Sequence, residues 1–96
     1  RLALICFPRL GGTLDARRDR CVFPQVAAWA NANDVPLFDP VPVYARYDLA
    51  GIRLNDIHLN ERGHRVLAAA LFDWVTSQGL VPVDALRGRP DAPPPP

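Results

Sequence analysis

The chain has 96 residues, enough for one small domain with little core to spare. Eleven Arg, no Lys and ten acidic residues leave a formal charge of +1, and the Arg are scattered, densest at Arg17, Arg18 and Arg20, so no basic stripe for nucleic acid is present. No apolar run approaches the ~20 residues of a membrane span, and two Cys do not make a disulfide framework.

The chain opens on Arg1 and enters a strand-like run at once, which reads as a piece of a longer protein. Residues 2–7, LALICF, are continuously apolar and end at Pro8. A run without alternation predicts a strand buried on both faces, as in a parallel sheet. Cys6 within it is expected to be a buried thiol; a bridge to Cys21 is possible on sequence but has no support there. Residues 8–20 are punctuated by Pro8, Gly11 and Gly12 and read as loop.

Residues 23–34 predict a helix. Pro24 suits its first turn; Val26, Trp29 and Ala30 share one face; Asn33 and Asp34 end it. Residues 35–40, VPLFDP, predict a second short strand, with Pro36 tolerable near its start. Residues 40–59 read as a long polar loop, a length usually either functional or disordered. Asn60 is the expected N-cap of a closing helix whose apolar stripe is Val66, Leu67, Ala70, Leu71, Trp74 and Val75, with Gly79 as its C′ residue. The final RGRPDAPPPP predicts an extended, polyproline-type segment without packing partners. The organisation is thus a partial α/β domain over 1–80 and a Pro-rich disordered tail over 81–96. The order β-α-β-loop-α implies a parallel, right-handed arrangement. It is half an α/β layer, with one sheet edge exposed.

The strongest chemical signal is the triplet Asp56-Ile57-His58. In an extended segment, side chains two apart share a side, ~6.5 Å apart, so Asp56 could reach a ring nitrogen of His58. A carboxylate there fixes the tautomer, turns the other nitrogen outward and stabilises the imidazolium. The pair follows the second strand, on the edge where open α/β sheets place their sites. His64 could join Asp56 and His58 around a metal, but the spacing is not a standard zinc pattern. Trp29 and Trp74 read as core. Arg53 could meet an anionic substrate or be plain surface. Tyr44 and Tyr47 could wall a pocket or pack beneath the loop.

The strand, the D-x-H loop, His58-Leu59-Asn60 followed by Gly63-His64, and the closing amphipathic helix together resemble the C-terminal part of SGNH/GDSL-type hydrolases, over roughly residues 2–78. The resemblance implies a flavodoxin-like α/β/α sandwich, and a structural role for Asp39, capping or turning the chain after the second strand. It implies hydrolysis or transfer of O-acyl or O-acetyl esters through a serine, with His58 as general base and Asp56 as its orienter. No metal or organic cofactor is implied, and the substrate would be a small-molecule or carbohydrate ester. Two departures stand out. The family's commoner spacing is D-x-x-H, which here places Asn55 three residues before His58; D-x-H occurs in branches that include alginate-type O-acetyltransferases. The Gly-Asp-Ser block and the oxyanion-hole blocks are not found, and the only Ser, Ser77, reads as a helix-end residue. Neither Thr13 nor Thr76 is a better nucleophile. The chain is therefore expected to need the N-terminal portion of its own domain and to be inactive alone. The alternative is a non-catalytic α/β half-domain with a structural or interaction role.

Overall fold

In the computed structural model, which describes residues 2–12, 21–85 and 87–96, the elements run in order. They are β1 (Leu4–Ile5), α1 (Pro24–Ala32), β2 (Leu37–Phe38), α2 (Val41–Tyr44), α3 (Leu49–Ile52) and α4 (Glu61–Ser77), then a short 3-10 turn over Val83–Ala85. Thr13 and the Arg17–Arg20 group lie outside the described residues. The protein is α/β in a loose sense: small, mostly helical, with one two-stranded sheet.

β1 and β2 pair in parallel, Leu4 opposite Leu37 and Ile5 opposite Phe38. Leu4 N–H donates to Pro36 O at 2.9 Å and Cys6 N–H to Phe38 O at 3.2 Å, extending the ladder slightly. The expectation of burial on both faces fails. Leu2, Ile5 and Phe7 are exposed, Phe7 at 75%, whereas Phe38 of β2 is buried. α1 likewise turns Val26 and Trp29 outward and buries only Ala30. Trp29 is thus not core, whereas Trp74 is half-buried with its ring 5.4 Å from that of buried Phe38. α1 ends where Asp34 takes φ +52°, a left-handed conformation that a short polar side chain tolerates.

The largest correction concerns residues 40–59. They are not a featureless loop but supply four of the nine buried hydrophobic residues among those described. Val41 and Tyr44 of α2 and Leu49 and Ile52 of α3 are buried, and Tyr44, Leu49 and Ile52 cluster with Leu10 and Val66. Each helix is a single turn, too short for a periodic signature. Asp39 Oδ1 accepts from Val41 N–H at 2.9 Å as α2 begins, and Asp48 caps α3 by accepting from Ala50 N–H at 3.2 Å. Burial pushes the Tyr44 phenol up from 10.0 to about 12.

α4 forms as its sequence dictates. Asn60 Oδ1 accepts from Gly63 N–H at 2.8 Å, the Ncap-to-N3 bond. At the other end Gly79 has φ +63°, with Gly79 N–H donating to Thr76 O and Leu80 N–H to Val75 O, a Schellman motif. Val66 and Ala69 are buried, and Leu67, Ala70, Leu71, Trp74 and Val75 half-buried. Gly63 is also buried. A Cβ there would overlap the Ile52 carbonyl oxygen and crowd Leu59, so the close crossing of α3 on α4 requires glycine.

Residues 87–96 form no helix or strand, yet they have packing partners. Tyr47 Oη donates to Pro93 O at 2.7 Å. Arg89 grips Asp73 of α4 through two bonds of 2.8 and 3.0 Å, and the guanidinium holds the Asp73 carboxyl below its ordinary range. Proline has little conformational freedom to lose, so few contacts suffice to hold such a segment.

The Cys expectation is also corrected. Cys6 is joined to Cys21 in a disulfide, Cα to Cα 6.2 Å, closing a loop of sequence separation 15. Folding brings the residue leaving β1 beside the residue entering α1, a proximity that composition does not encode.

Candidate functional site

The segment 53–59 is a tight loop, closed by an antiparallel bridge between Arg53 and Leu59 and by Leu54 N–H donating to His58 O at 2.8 Å. It is pinned to the loop that leaves β1. Leu10 N–H donates to the Asp56 carbonyl, and Arg53 Nη1 donates to Leu10 O at 2.7 Å. Buried Leu10 is thereby held in the core from both its backbone groups. The His58 loop is fixed against the chain emerging from the carboxyl end of β1, the side on which open α/β sheets carry their sites.

Inside the loop, the partner of His58 is Asn55. Asn55 Oδ1 accepts from the backbone N–H groups of Ile57 at 3.0 Å and His58 at 2.9 Å, and the His58 ring Nδ1 lies 3.1 Å from the same oxygen. The two backbone donors fix which way the Asn55 amide points, since only its oxygen can accept. His58 Nδ1 must then carry the hydrogen. Nε2 is left with its lone pair, and among the described residues it has no protein partner. This is the tautomer a general base needs.

The two-residue geometry expected for Asp56 does not occur. It assumed an extended backbone, whereas residues 54–57 bend, and a bend brings i and i+3 together. Asp56 instead faces Arg53, Nη1 to Oδ1 3.6 Å, with side-chain exposures of 30% and 67%. So open and long an ion pair contributes at most ~1 kcal/mol. The Asp56 carboxylate also lies over Gly11, whose added Cβ would sit 3.4 Å from Cγ. Sequence reasoning placed Asn55 as a neighbour only. The signal that could have found it is the Asx-turn habit of Asn, which accepts from N–H groups two and three residues ahead.

The other candidates separate. Arg53 is engaged by Leu10 and Asp56 and also lines an open cleft of about 530 Å³ with Gly12, Tyr47, Asp48 and Leu49. Its size is that of a small-molecule pocket. Tyr44 is core, not a wall. Ser77 Oγ bonds back to Trp74 O at 2.9 Å, and Thr76 Oγ1 to the carbonyls of Phe72 and Asp73. Both are helix-end hydroxyls. His64 is exposed on the first turn of α4 and does not converge with Asp56 and His58 into a ligand set among the described residues. No described helix is long and apolar enough to cross a membrane.

No protein-family profile, curated protein or solved structure matches this chain.

Proposed function

We propose that this chain is the C-terminal part of a serine-dependent, SGNH-type hydrolase or acyltransferase acting on O-acyl or O-acetyl esters, within a flavodoxin-like sandwich. The observation that carries the reading is the His58 loop: an exposed imidazole whose Nδ1 is held by Asn55 and whose basic Nε2 faces outward. His58 takes the proton of a serine as that serine attacks the acyl carbonyl, then gives it to the leaving alcohol. Water, or a sugar hydroxyl in a transferase, resolves the acyl-enzyme.

Asn55 orients the imidazole but brings no charge. The negative charge falls to Asp56, which must leave Arg53 to reach the ring, and the weakness of that pair makes the exchange cheap. The remainder of the domain is a partner of the same chain. Leu2, Ile5 and Phe7 near β1 and Phe23, Val26 and Trp29 at α1 are large apolar residues left exposed, as those of a sheet awaiting its other layers would be. The thin dimension of 19 Å fits two layers at ~10 Å spacing, not three.

The test begins with the coding sequence upstream of Arg1. An in-frame strand followed by a Gly-Asp-Ser-like block supports the reading. His58→Ala in that longer chain should then abolish hydrolysis of p-nitrophenyl acetate. Asp56→Asn should cost up to ~10⁴ in rate if Asp56 is the orienter, as carboxylate-to-amide replacement does in the serine-protease triad. The 96-residue chain alone should not exceed free imidazole. An upstream stop codon, or full turnover in the His58→Ala protein, removes the hydrolase reading.

A further inference from the structure

The strand register places Cys6 and Asp39 side by side. Ile5 pairs with Phe38, so the next residue of each strand is Cys6 and Asp39, both at the carboxyl edge of the sheet. Cys21 comes to the same spot from the chain entering α1, and its N–H donates to Asp39 Oδ2 at 3.4 Å. One ligand atom from each of Cys6, Cys21 and Asp39 lies within 4.8 Å of the other two, all three residues half-buried. Zinc–sulfur bonds of ~2.3 Å set a tetrahedral edge of ~3.8 Å, inside that span. Two thiolates and one carboxylate are three protein ligands, the number that leaves a fourth position for water.

We propose that the Cys6–Cys21 disulfide is one of two exclusive states of this cluster, and that the reduced chain binds a single Zn²⁺ through Cys6 Sγ, Cys21 Sγ and an Asp39 carboxylate oxygen. A two-electron reductant such as a water-soluble phosphine cleaves the S–S bond, giving two thiols and the phosphine oxide, whose oxygen comes from water. On binding Zn²⁺ the two thiols release two protons to solvent, and an Asp39 carboxylate oxygen joins as the third ligand. A two-electron oxidant such as hydrogen peroxide re-forms the S–S bond from the two thiolates, is itself reduced to water with two protons from solvent, and so expels the ion. The site is distinct from His58 and does not depend on the hydrolase reading.

Asp39→Asn keeps the Oδ1 that accepts from Val41 N–H, so α2 retains its start, while the carboxylate ligand and the Oδ2 acceptor of Cys21 N–H are lost. The test titrates Co²⁺ into the phosphine-reduced chain and follows the thiolate-to-cobalt charge-transfer band and the visible d–d bands, with Zn²⁺ as competitor. One equivalent should bind with tetrahedral d–d intensity, and Zn²⁺ should displace it. The oxidised chain and the Cys6→Ser/Cys21→Ser chain should give no band. Asp39→Asn should retain a thiolate band but bind at least tenfold more weakly, the lower end of the ~10–100-fold cost of losing even an outer-shell partner. The proposal is overturned by a reduced chain that gives no charge-transfer band, by equal affinity in the Asp39→Asn protein with far-UV circular dichroism unchanged, or by Co²⁺ binding that survives in the double-Ser chain and so belongs to His58 or His64.

Discussion

Replacing Gly63 with Ala tests the closest approach in the molecule. The new Cβ would overlap the Ile52 carbonyl oxygen and stand 2.9 Å from Leu59 Cδ2. Leu59 can rotate, but the carbonyl is backbone and is anchored as the acceptor of Asn60 N–H at 3.0 Å. Relief therefore needs α3 and α4 to part by roughly an ångström, in an interior that packs like a crystal. Overpacking of this kind costs ~1–3 kcal/mol, and a weakened Asn60–Ile52 bond adds ~1 kcal/mol. Ala regains up to ~1 kcal/mol through its helix propensity. The net is a destabilisation of about 1–3 kcal/mol, against a total of ~5–14 kcal/mol for a chain this long. At ~4–8 °C per kcal/mol, Tm should fall by roughly 5–20 °C in a thermal melt followed by circular dichroism. Gly51→Ala is the internal control. Its Cβ meets nothing within 4 Å, so that protein should be unchanged or up to ~1 kcal/mol more stable. If Gly63→Ala melts no lower than Gly51→Ala, the α3–α4 crossing is not as close as described here and the reasoning is wrong.

Asn60 has two functions, which two variants separate. Its Oδ1 caps α4, and its Nδ2 donates to Gly51 O at 3.0 Å and Arg53 O at 3.4 Å. Asn60→Ala should lose ~2 kcal/mol in urea unfolding, and Asn60→Asp, which keeps the cap and loses the donors, about half as much; equal losses would mean that the donors alone matter and the cap contributes nothing. The Cys6→Ser/Cys21→Ser protein should be ~3 kcal/mol less stable than the oxidised chain, the value for a closed loop of about 15 residues, with a lower denaturation midpoint at unchanged slope. The Tyr44 phenol is raised in the folded state to about 12 from 10.0, so its neutral form contributes stability that is complete below pH 10 and lost as pH climbs toward 12. That loss is about 2–3 kcal/mol. An alkaline titration of stability should therefore show a decline between pH 10 and 12 that is absent in Tyr44→Phe; the same decline in both proteins would assign it elsewhere.

Local signals carried several elements on their own. The Asn60 cap, the apolar stripe of α4 and Gly79 at its end are written in neighbours three and four residues apart, and the helix follows from them without reference to the rest of the chain. α1 and the parallel pairing of two short apolar runs were legible in the sequence as well, while the turn-forming use of Asp39 came from the family resemblance. Tertiary structure decided what depends on the path of the backbone between those elements. Whether His58 meets Asp56 or Asn55 turns on whether the loop is extended or bent, and the bend is set by Leu10, 46 positions away from Asp56 in sequence, clasping that segment through Asp56 and Arg53. The same holds for the Cys6–Cys21 bond, for the burial of Val41, Tyr44, Leu49 and Ile52, and for Trp29 facing outward. Periodicity states which residues share a face, but only packing determines whether anything lies against that face.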